Sequence, residues 1–467
     1  MKKLILFFPL CLLLLSSLAQ LKPFGAIPSA RQLKWHETEM YVLIHFTPTT
    51  FENKEWGYGD ANPTLFNPTA FDANQIVGAA KDGGFKGLIL VAKHHDGFCL
   101  WPTKTTDYNI SKSPWRDGKG DMVREFEQAC RKAGLKFGVY ISPWDRNNEY
   151  YGTHQYVEIY RDQLRELYTN YGELFMSWHD GANGGDGYYG GKRETRKIDR
   201  GTYYGWDTTW ASTRKWQPMA SIFSDVGPDV RWVGNEHGEA AFTSWATYDP
   251  IPREGATKVG PGESDYRNSP TGTLRGKNWI PAECDVALRP GWFYHKDQDE
   301  KVKSPEKLFD IYLKSVGRGA CLDLGLSPDT RGLLHENDVK ALKTFGDILK
   351  NTFSNNIAVI SNAKKELIDA DRYSYVAGND ILLEWNAPQT FNVLRIRENI
   401  KLGQRVEEFI AEAWVDGGWQ TFTQATSIGN ARILTFPSVT TQKVRIRVTK
   451  SGATAAISEL GLFVQNN

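Results

Sequence analysis

Short apolar runs that stop at a polar or ring-bearing side chain recur through the first 350 residues. Met40–Phe46 closes on His45-Phe46-Thr47-Pro48, and Phe85–Ala92 closes on Lys93-His94-His95-Asp96-Gly97. Leu135–Ile141 runs into Ser142-Pro143-Trp144-Asp145, and Leu174–Trp178 into His179-Asp180-Gly181. Weaker runs at Ile222–Ser224, Val230–Val233, Asn278–Ala282 and Ala320–Leu324 bring the set to eight. Between them lie segments with apolar residues at three- and four-residue steps: Phe71–Gly83, Asp121–Ala133, His154–Tyr171, Pro305–Val316 and Asn337–Leu349. Buried strands alternating with amphipathic helices predict a parallel sheet. Eight such units predict an α/β fold, a (β/α)8 TIM barrel, over residues 20–349. Segments 184–216 and 251–276 are rich in glycine and polar residues and read as long loops, the first lined with aromatics and facing the substrate.

After residue 350 the period changes. Asp380–Trp385, Asn392–Arg397, Arg405–Asp416, Arg432–Phe436, Lys443–Val448 and Ala456–Phe463 are short alternating runs separated by turn residues. They predict a C-terminal antiparallel β-sandwich over 350–467. It braces the barrel or holds a carbohydrate, with bracing the weightier reading.

Composition narrows the class. The 56 basic and 55 acidic side chains nearly cancel, which argues against a general nucleic-acid binder. Met1-Lys2-Lys3, the apolar stretch Leu4–Leu15 and Ser16-Ser17-Leu18-Ala19 form a secretory signal peptide, cut after Ala19. The mature chain is therefore expected in the periplasm or outside the cell, with no transmembrane segment. Cys99, Cys130, Cys284 and Cys321 are widely spaced and read as buried thiols rather than a metal knuckle or a disulfide set. Thirteen of the 16 tryptophans precede residue 300, several beside the polar strand ends. Flat apolar faces next to hydrogen-bonding groups suit a sugar ring.

Carboxylates and imidazoles at strand ends point to glycoside hydrolysis. Most retaining glycosidases use one carboxylate as nucleophile and a second carboxyl as acid/base, ~5–5.5 Å apart. Asp180 is the candidate nucleophile, although an aspartate at a strand end can also cap the next helix. Glu236 ranks first as acid/base, then Glu283 and Glu239, with Glu55 a lesser contender. His45, His94 and His95 read as neutral hydrogen-bonding partners of sugar hydroxyls. No metal-binding spacing, Walker pattern, dinucleotide fingerprint or serine elbow is present, so neither metal nor cofactor is expected.

Tyr41-Val42-Leu43-Ile44-His45-Phe46, Ala92-Lys93-His94-His95-Asp96-Gly97-Phe98, Gly138-Val139-Tyr140-Ile141-Ser142 and Trp178-His179-Asp180-Gly181 together resemble the alpha-L-fucosidases of glycoside hydrolase family 29. The likeness spans roughly residues 30–345. It implies a retaining exo-enzyme that removes terminal alpha-L-fucose from fucosylated oligosaccharides by double displacement. On that resemblance Asp180 is the nucleophile and His45, His94 and His95 bind the fucose hydroxyls. Trp56 accompanies the first histidine, Tyr140 lines the pocket near the nucleophile, and Trp292 walls the fucose methyl. Arg231-Trp232-Val233-Gly234-Asn235-Glu236, Trp279–Asp285 and Arg289–His295 resemble the branch preferring alpha-1,3 and alpha-1,4 linkages, in which Glu236 would be the acid/base. The sandwich resembles galactose-binding-like, discoidin-type domains. His179 departs from the more usual aromatic residue before the nucleophile and is expected to alter pocket polarity. The alternatives are a broader fucosidase acting on alpha-1,2 or aryl fucosides, and a non-catalytic sugar-binding barrel.

Overall fold

The structure, a computed structural model, describes residues 21–465; the expected leader lies outside the described residues. Eight strands form one parallel sheet: β1 (Met40–Ile44), β2 (Gly87–Lys93), β3 (Lys136–Ile141), β4 (Met176–Trp178), β5 (Ser221–Phe223), β6 (Arg231–Trp232), β7 (Ala282–Ala287) and β8 (Cys321–Leu326). Their order is β5-β4-β3-β2-β1-β8-β7-β6. A parallel bridge from Phe223 to Val230 joins the two edges and makes the sheet a near-closed barrel. Helices cover the outside and side chains fill the inside, so a strand here needs apolar residues on both faces. That is why Leu88-Ile89-Leu90-Val91 is a continuous, fully buried run.

Helix α1 (Ala30–Thr38) precedes the barrel, a helix absent from the sequence expectation. It starts where Ser29 N donates to Gln32 Oε1 at 2.9 Å. It plugs the base of the barrel: Trp35 is buried and its Nε1 donates to Tyr41 Oη at 3.0 Å. Helices α2 (Ala73–Asp82), α3 (Met122–Ala133), α4 (His154–Asn170), α5 (Trp206–Trp216), α6 (Pro305–Lys314) and α7 (Glu336–Phe353) follow β1, β2, β3, β4, β7 and β8. Asp121 caps α3 by accepting from Arg124 N at 2.9 Å, and Gly134 ends it in the left-handed region that favours glycine. Strands β5 and β6 are followed by no helix.

Three expectations need correcting. The seventh strand is Ala282–Ala287, not Asn278–Ala282. Its inner face carries Glu283 and Asp285, which break the apolar pattern that located the other strands. The segment 184–216 is not one loop: it holds a ribbon, Gly185–Gly187 with Glu194–Arg196, and then helix α5. Only Trp206, Thr209 and Thr213 of α5 are buried, which leaves its apolar period faint. The segment 251–276 also contains a short ribbon, Ile251–Pro252 with Ser264–Asp265. Cys99, Cys130, Cys284 and Cys321 are buried and free.

The C-terminal part is an antiparallel, sandwich-like sheet of β9 (Val376–Ala377), β10 (Asp380–Glu398), β11 (Val406–Val415), β12 (Gly418–Ala425), β13 (Arg432–Ser451) and β14 (Ala456–Phe463), ordered β9-β14-β10-β13-β11-β12. Long strands β10 and β13 each cover two of the expected short runs, with register shifts between Glu384 and Gln389 and between Phe391 and Val393. Strand β12 escapes the alternation rule because most of its residues are only partly buried or exposed. Phe391, Leu394, Phe409, Ile446 and Leu460 lie in its core.

The two parts are tied through charge and packing. Glu39, just before β1, accepts from Arg397 at 2.7 Å and Arg372 at 2.8 Å, with Lys86 at 3.2 Å. Ile400 packs on Ala246 and Trp279, Arg275 pairs with Glu407 at 2.6 Å, and Ala246 N donates to Gln404 Oε1 at 2.9 Å. The sandwich thus clamps the long β6–β7 connection, whose other side reaches the cleft.

Candidate active site

The strand ends converge on a cavity of about 240 Å³ lined by His45, Trp56, His94, His95, Tyr140, Asp180, Glu236 and Trp292, with Leu43, Glu55, Trp178, Ala182 and Asp285 completing the wall. The first eight are the residues expected to bind or cleave substrate. A cavity of about 300 Å³ adjoins it and shares Trp178, Asp180, Ala182, Glu236 and Asp285; it is closed by Arg200, Asp225, Trp232, Gly262 and Tyr266. A third cavity, walled by Trp35, Lys136 and Phe175 at the opposite mouth, lies where barrels place stability rather than chemistry.

Asp180 leaves β4 with both oxygens engaged. Oδ1 accepts from Ala182 N at 2.6 Å, and Oδ2 accepts from Tyr140 Oη at 2.9 Å. Burial raises its pKa, and these two donors hold the rise back. Tyr140 is fixed by stacking on Trp178 at 4.7 Å, and Trp178 stacks on Phe223 at 4.2 Å. Glycine must follow the aspartate, because a Cβ at Gly181 would lie 1.9 Å from the Asp225 carboxylate.

The histidines are held as neutral rings. His45 and His95 are pushed down to about 3, chiefly by burial, and His94 well below its ordinary value for the same reason. Ser142 Oγ donates to Trp144 O at 2.7 Å, so it accepts from His95 Nδ1, also at 2.7 Å. His95 Nε2 is left as an acceptor 3.8 Å from Asp180 Oδ2, a position suited to a sugar hydroxyl between them. His45 Nδ1 and His94 Nδ1 are buried with no partner among the described residues. Beneath this row Lys93 is buried with Asp145 at 3.2 Å, Tyr156 Oη at 3.0 Å and Gln163 at 2.9 Å. Asp96 accepts from Thr47 at 2.7 Å and Thr49 at 3.1 Å, tying the end of β1 to that of β2.

Glu236 is exposed on the loop after β6 and accepts from Trp292 Nε1 at 3.2 Å. Trp292 can lie across the barrel end because residue 325 is glycine, where a Cβ would fall 2.5 Å from the indole. Glu55 holds the Trp292 loop, accepting from Trp292 N at 2.9 Å and pairing with His295 at 2.6 Å. Trp56 stands half-exposed at the rim, its ring 5.0 Å from His95.

Of the alternative acids, Glu55 lines the cavity wall and the other two sit elsewhere. Glu239 faces outward and pairs with Lys314 at 3.0 Å. Glu283 is fully buried inside the barrel, accepting from Trp178 Nε1 at 2.7 Å and from Tyr41 Oη. Neither lines the cavity that holds Asp180. His179 also points away from the cleft, against expectation: it is bonded to Tyr160 Oη and Ser177 Oγ, each at 2.8 Å. A strand alternates its faces, so the residue beside the inward Asp180 turns outward. Asp285 lines the cavity without being among the expected site residues; its alternation with Glu283 along β7 is the sequence signal for it. Among the described residues no group of three His, Cys, Asp or Glu side chains is arranged to hold a metal ion.

Carboxyls at the C-terminal mouth of a (β/α)8-type barrel, set in a ring-lined pocket with neutral imidazoles, define a barrel glycosidase. A family profile for alpha-L-fucosidase matches residues 24–352. The chain is 40% identical over 466 residues to alpha-L-fucosidase 1 of Arabidopsis thaliana, covering 95% of this chain and 88% of that protein. It superposes with a TM-score of 0.88 on a glycoside hydrolase family 29 member from an unknown rumen bacterium, 40% identical, covering 96% of this chain and 78% of the other. A family 29 fucosidase of Ruminococcus gnavus in complex with fucose gives 0.83 at 27% identity, covering 96% of each chain. The chain belongs to the alpha-L-fucosidases of glycoside hydrolase family 29 and is a glycosidase of that activity.

Proposed function

We propose that the chain is a retaining exo-alpha-L-fucosidase of the alpha-1,3/1,4-preferring kind, acting outside the cytoplasm after removal of a leader at Ala19. The observation that carries the reading is the pocket that Asp180 and Glu236 line together, with neutral histidines beside the aspartate. The Asp180 carboxylate attacks the anomeric carbon while Glu236 gives its proton to the glycosidic oxygen, so the C–O bond breaks and a fucosyl ester forms on Asp180. Glu236, now ionised, takes a proton from water, whose oxygen attacks the same carbon and releases fucose and the Asp180 carboxylate. Two displacements retain the anomeric configuration. His45, His94 and His95 bind the hydroxyls, Tyr140 orients the nucleophile, and Trp56 and Trp292 wall the ring.

The linkage preference is supported by the Arg231–Glu236 and Trp279–Asp285 segments and by the adjoining cavity, which leaves room for a branched acceptor next to the fucose. The discriminating experiment compares kcat/KM on Lewis-type trisaccharides with that on 2'-fucosyllactose. Faster turnover of the trisaccharides is expected; a preference for the alpha-1,2 substrate overturns the linkage reading and leaves the family intact.

A further inference from the structure

The connection from β7 to α6 carries Trp292 and Phe293 into the neighbourhood of the pocket histidines, on a stretch that belongs to no strand or helix. The Phe293 ring lies 5.3 Å from His45 and 5.1 Å from His94, and the Trp292 ring 5.3 Å from His45. Ser327 Oγ donates to Trp292 O at 2.7 Å, and the backbone N–H groups of the stretch turn to Glu55 on the β1–α2 connection. Glu55 accepts from Trp292 N at 2.9 Å through Oε2, and from Phe293 N at 3.4 Å and His295 Nε2 at 2.6 Å through Oε1. The approach is so close that a Cβ at Gly291 would fall 2.0 Å from that carboxylate.

His295 is buried, and its Nδ1 rests on the side-chain amide of Asn53 at 2.8 Å. A carboxylate only accepts, so Nε2 carries a hydrogen whichever way that amide is turned. The nearby Asp299 is engaged elsewhere, with Arg289, Tyr294 and His335. Of the other acids on the cavity, Asp180 is held by Tyr140 and Ala182, and Asp285 by Trp232; no lysine or arginine lines it among the described residues. A chain of direct contacts therefore runs from Asn53 through His295 and Glu55 to the Trp292 backbone. From there the Trp292 indole donates to Glu236 at 3.2 Å.

We propose that His295 is a positioning residue for the reaction: by donating to Glu55 it sets the place of the Trp292 indole, and through the indole the direction in which Glu236 presents its proton. This rests on the reading of Glu236 as acid/base. The Glu55 side chain is 39% exposed, so without the imidazole donor it can turn toward water and release the Trp292 and Phe293 N–H groups together. A general acid must stand within ~2.6–3.2 Å of the oxygen it protonates, and a small displacement is costly in rate. Phenylalanine at 295 fills the ring's space without an N–H, whereas glutamine sets an amide N–H near the place of Nε2. His295→Phe should therefore turn over an unactivated oligosaccharide about tenfold more slowly per active site, counted by fluorinated-fucoside trapping, and His295→Gln should recover most of that loss. On an aryl fucoside whose leaving group needs no proton, kcat of both variants should stay within about twofold of wild type.

Equal losses on the two substrates, or a His295→Gln no better than His295→Phe, overturn the proposal, since a merely space-filling ring predicts both. Oligosaccharide turnover in His295→Phe within about twofold of wild type overturns it as well. If His295→Phe does not fold, Asn53→Gly decides: the left-handed backbone there suits glycine, and only the outer contact of the ring is lost. Oligosaccharide turnover about threefold slower with the aryl rate unchanged supports the chain of contacts; two unchanged rates, or two equally lowered ones, overturn it. Full oligosaccharide turnover in Glu236→Gln would instead refute the acid/base assignment itself.

Discussion

The two ends of strand β1 are built on opposite rules. At its start, Glu39 meets three cations, two of them from the sandwich, and Arg397 and Arg372 draw its pKa well below the carboxylate range although burial alone would raise it. At its finish, His45 keeps a buried nitrogen without a partner among the described residues, next to imidazoles that burial keeps neutral. At one end the buried carboxylate is met by cations of the protein itself, and the other leaves hydrogen-bonding capacity for a ligand. The lesson is the barrel's division of labour: stability at the N-terminal face, chemistry at the C-terminal one.

Substitutions at the two ends should therefore fail differently. The largest effect is expected for Asp180→Asn, which removes the attacking oxygen and should lower kcat by more than about 10⁴-fold while the melting temperature stays near wild type; equal losses of stability and turnover would break the contrast. Glu236→Ala should lose ~10²–10⁴-fold on natural glycans but little on an activated aryl fucoside, with azide restoring part of the rate. Rescue at Glu283 or Glu239 instead would reverse the assignment.

At the other end, Glu39→Ala takes from buried Arg397 one of its two carboxylates, with Glu459 at 2.8 Å remaining, and should cost ~3 kcal/mol of stability, the low end for a broken buried pair, read by denaturant titration, while kcat/KM of the folded enzyme holds. The sign with pH follows from the lowered folded-state pKa. The Glu39 contribution is fully present above its ordinary 4.5 and is lost as pH falls through the depressed folded value, so the variant should melt with a weaker acid dependence than wild type. The smallest effect is expected for Tyr140→Phe, which removes one hydrogen bond to a carboxylate, worth ~1.5–3 kcal/mol, and should slow kcat/KM about 10- to 100-fold.

The same contrast explains what could be read from the sequence. Strands β1 to β4 were legible because their apolar runs end abruptly at His45, His94, Trp144 and Asp180, and both strand faces are buried. Strand β7 was misplaced because Glu283 and Asp285 put acids where the period demands apolar side chains, while Trp279-Ile280-Pro281 offered a false run just before it. Pocket residues at strand ends could be named from pattern and resemblance together. Contacts between distant positions could not: Glu55 meets Trp292, Asp225 meets Gly181 and Asp285 meets Trp232, each more than 40 positions away. Helix α5 was hidden for a different reason, since a helix that buries only three side chains carries little periodic signal.

The central claim is that the Asp180 carboxylate forms a bond to the sugar. Trapping the intermediate with a mechanism-based fluorinated fucoside, followed by peptide mass spectrometry, tests it most directly. One fucosyl group on the peptide containing Asp180, absent from Asp180→Asn, is the predicted result. Label on another side chain, or fucose released with inverted configuration and no label, would contradict it.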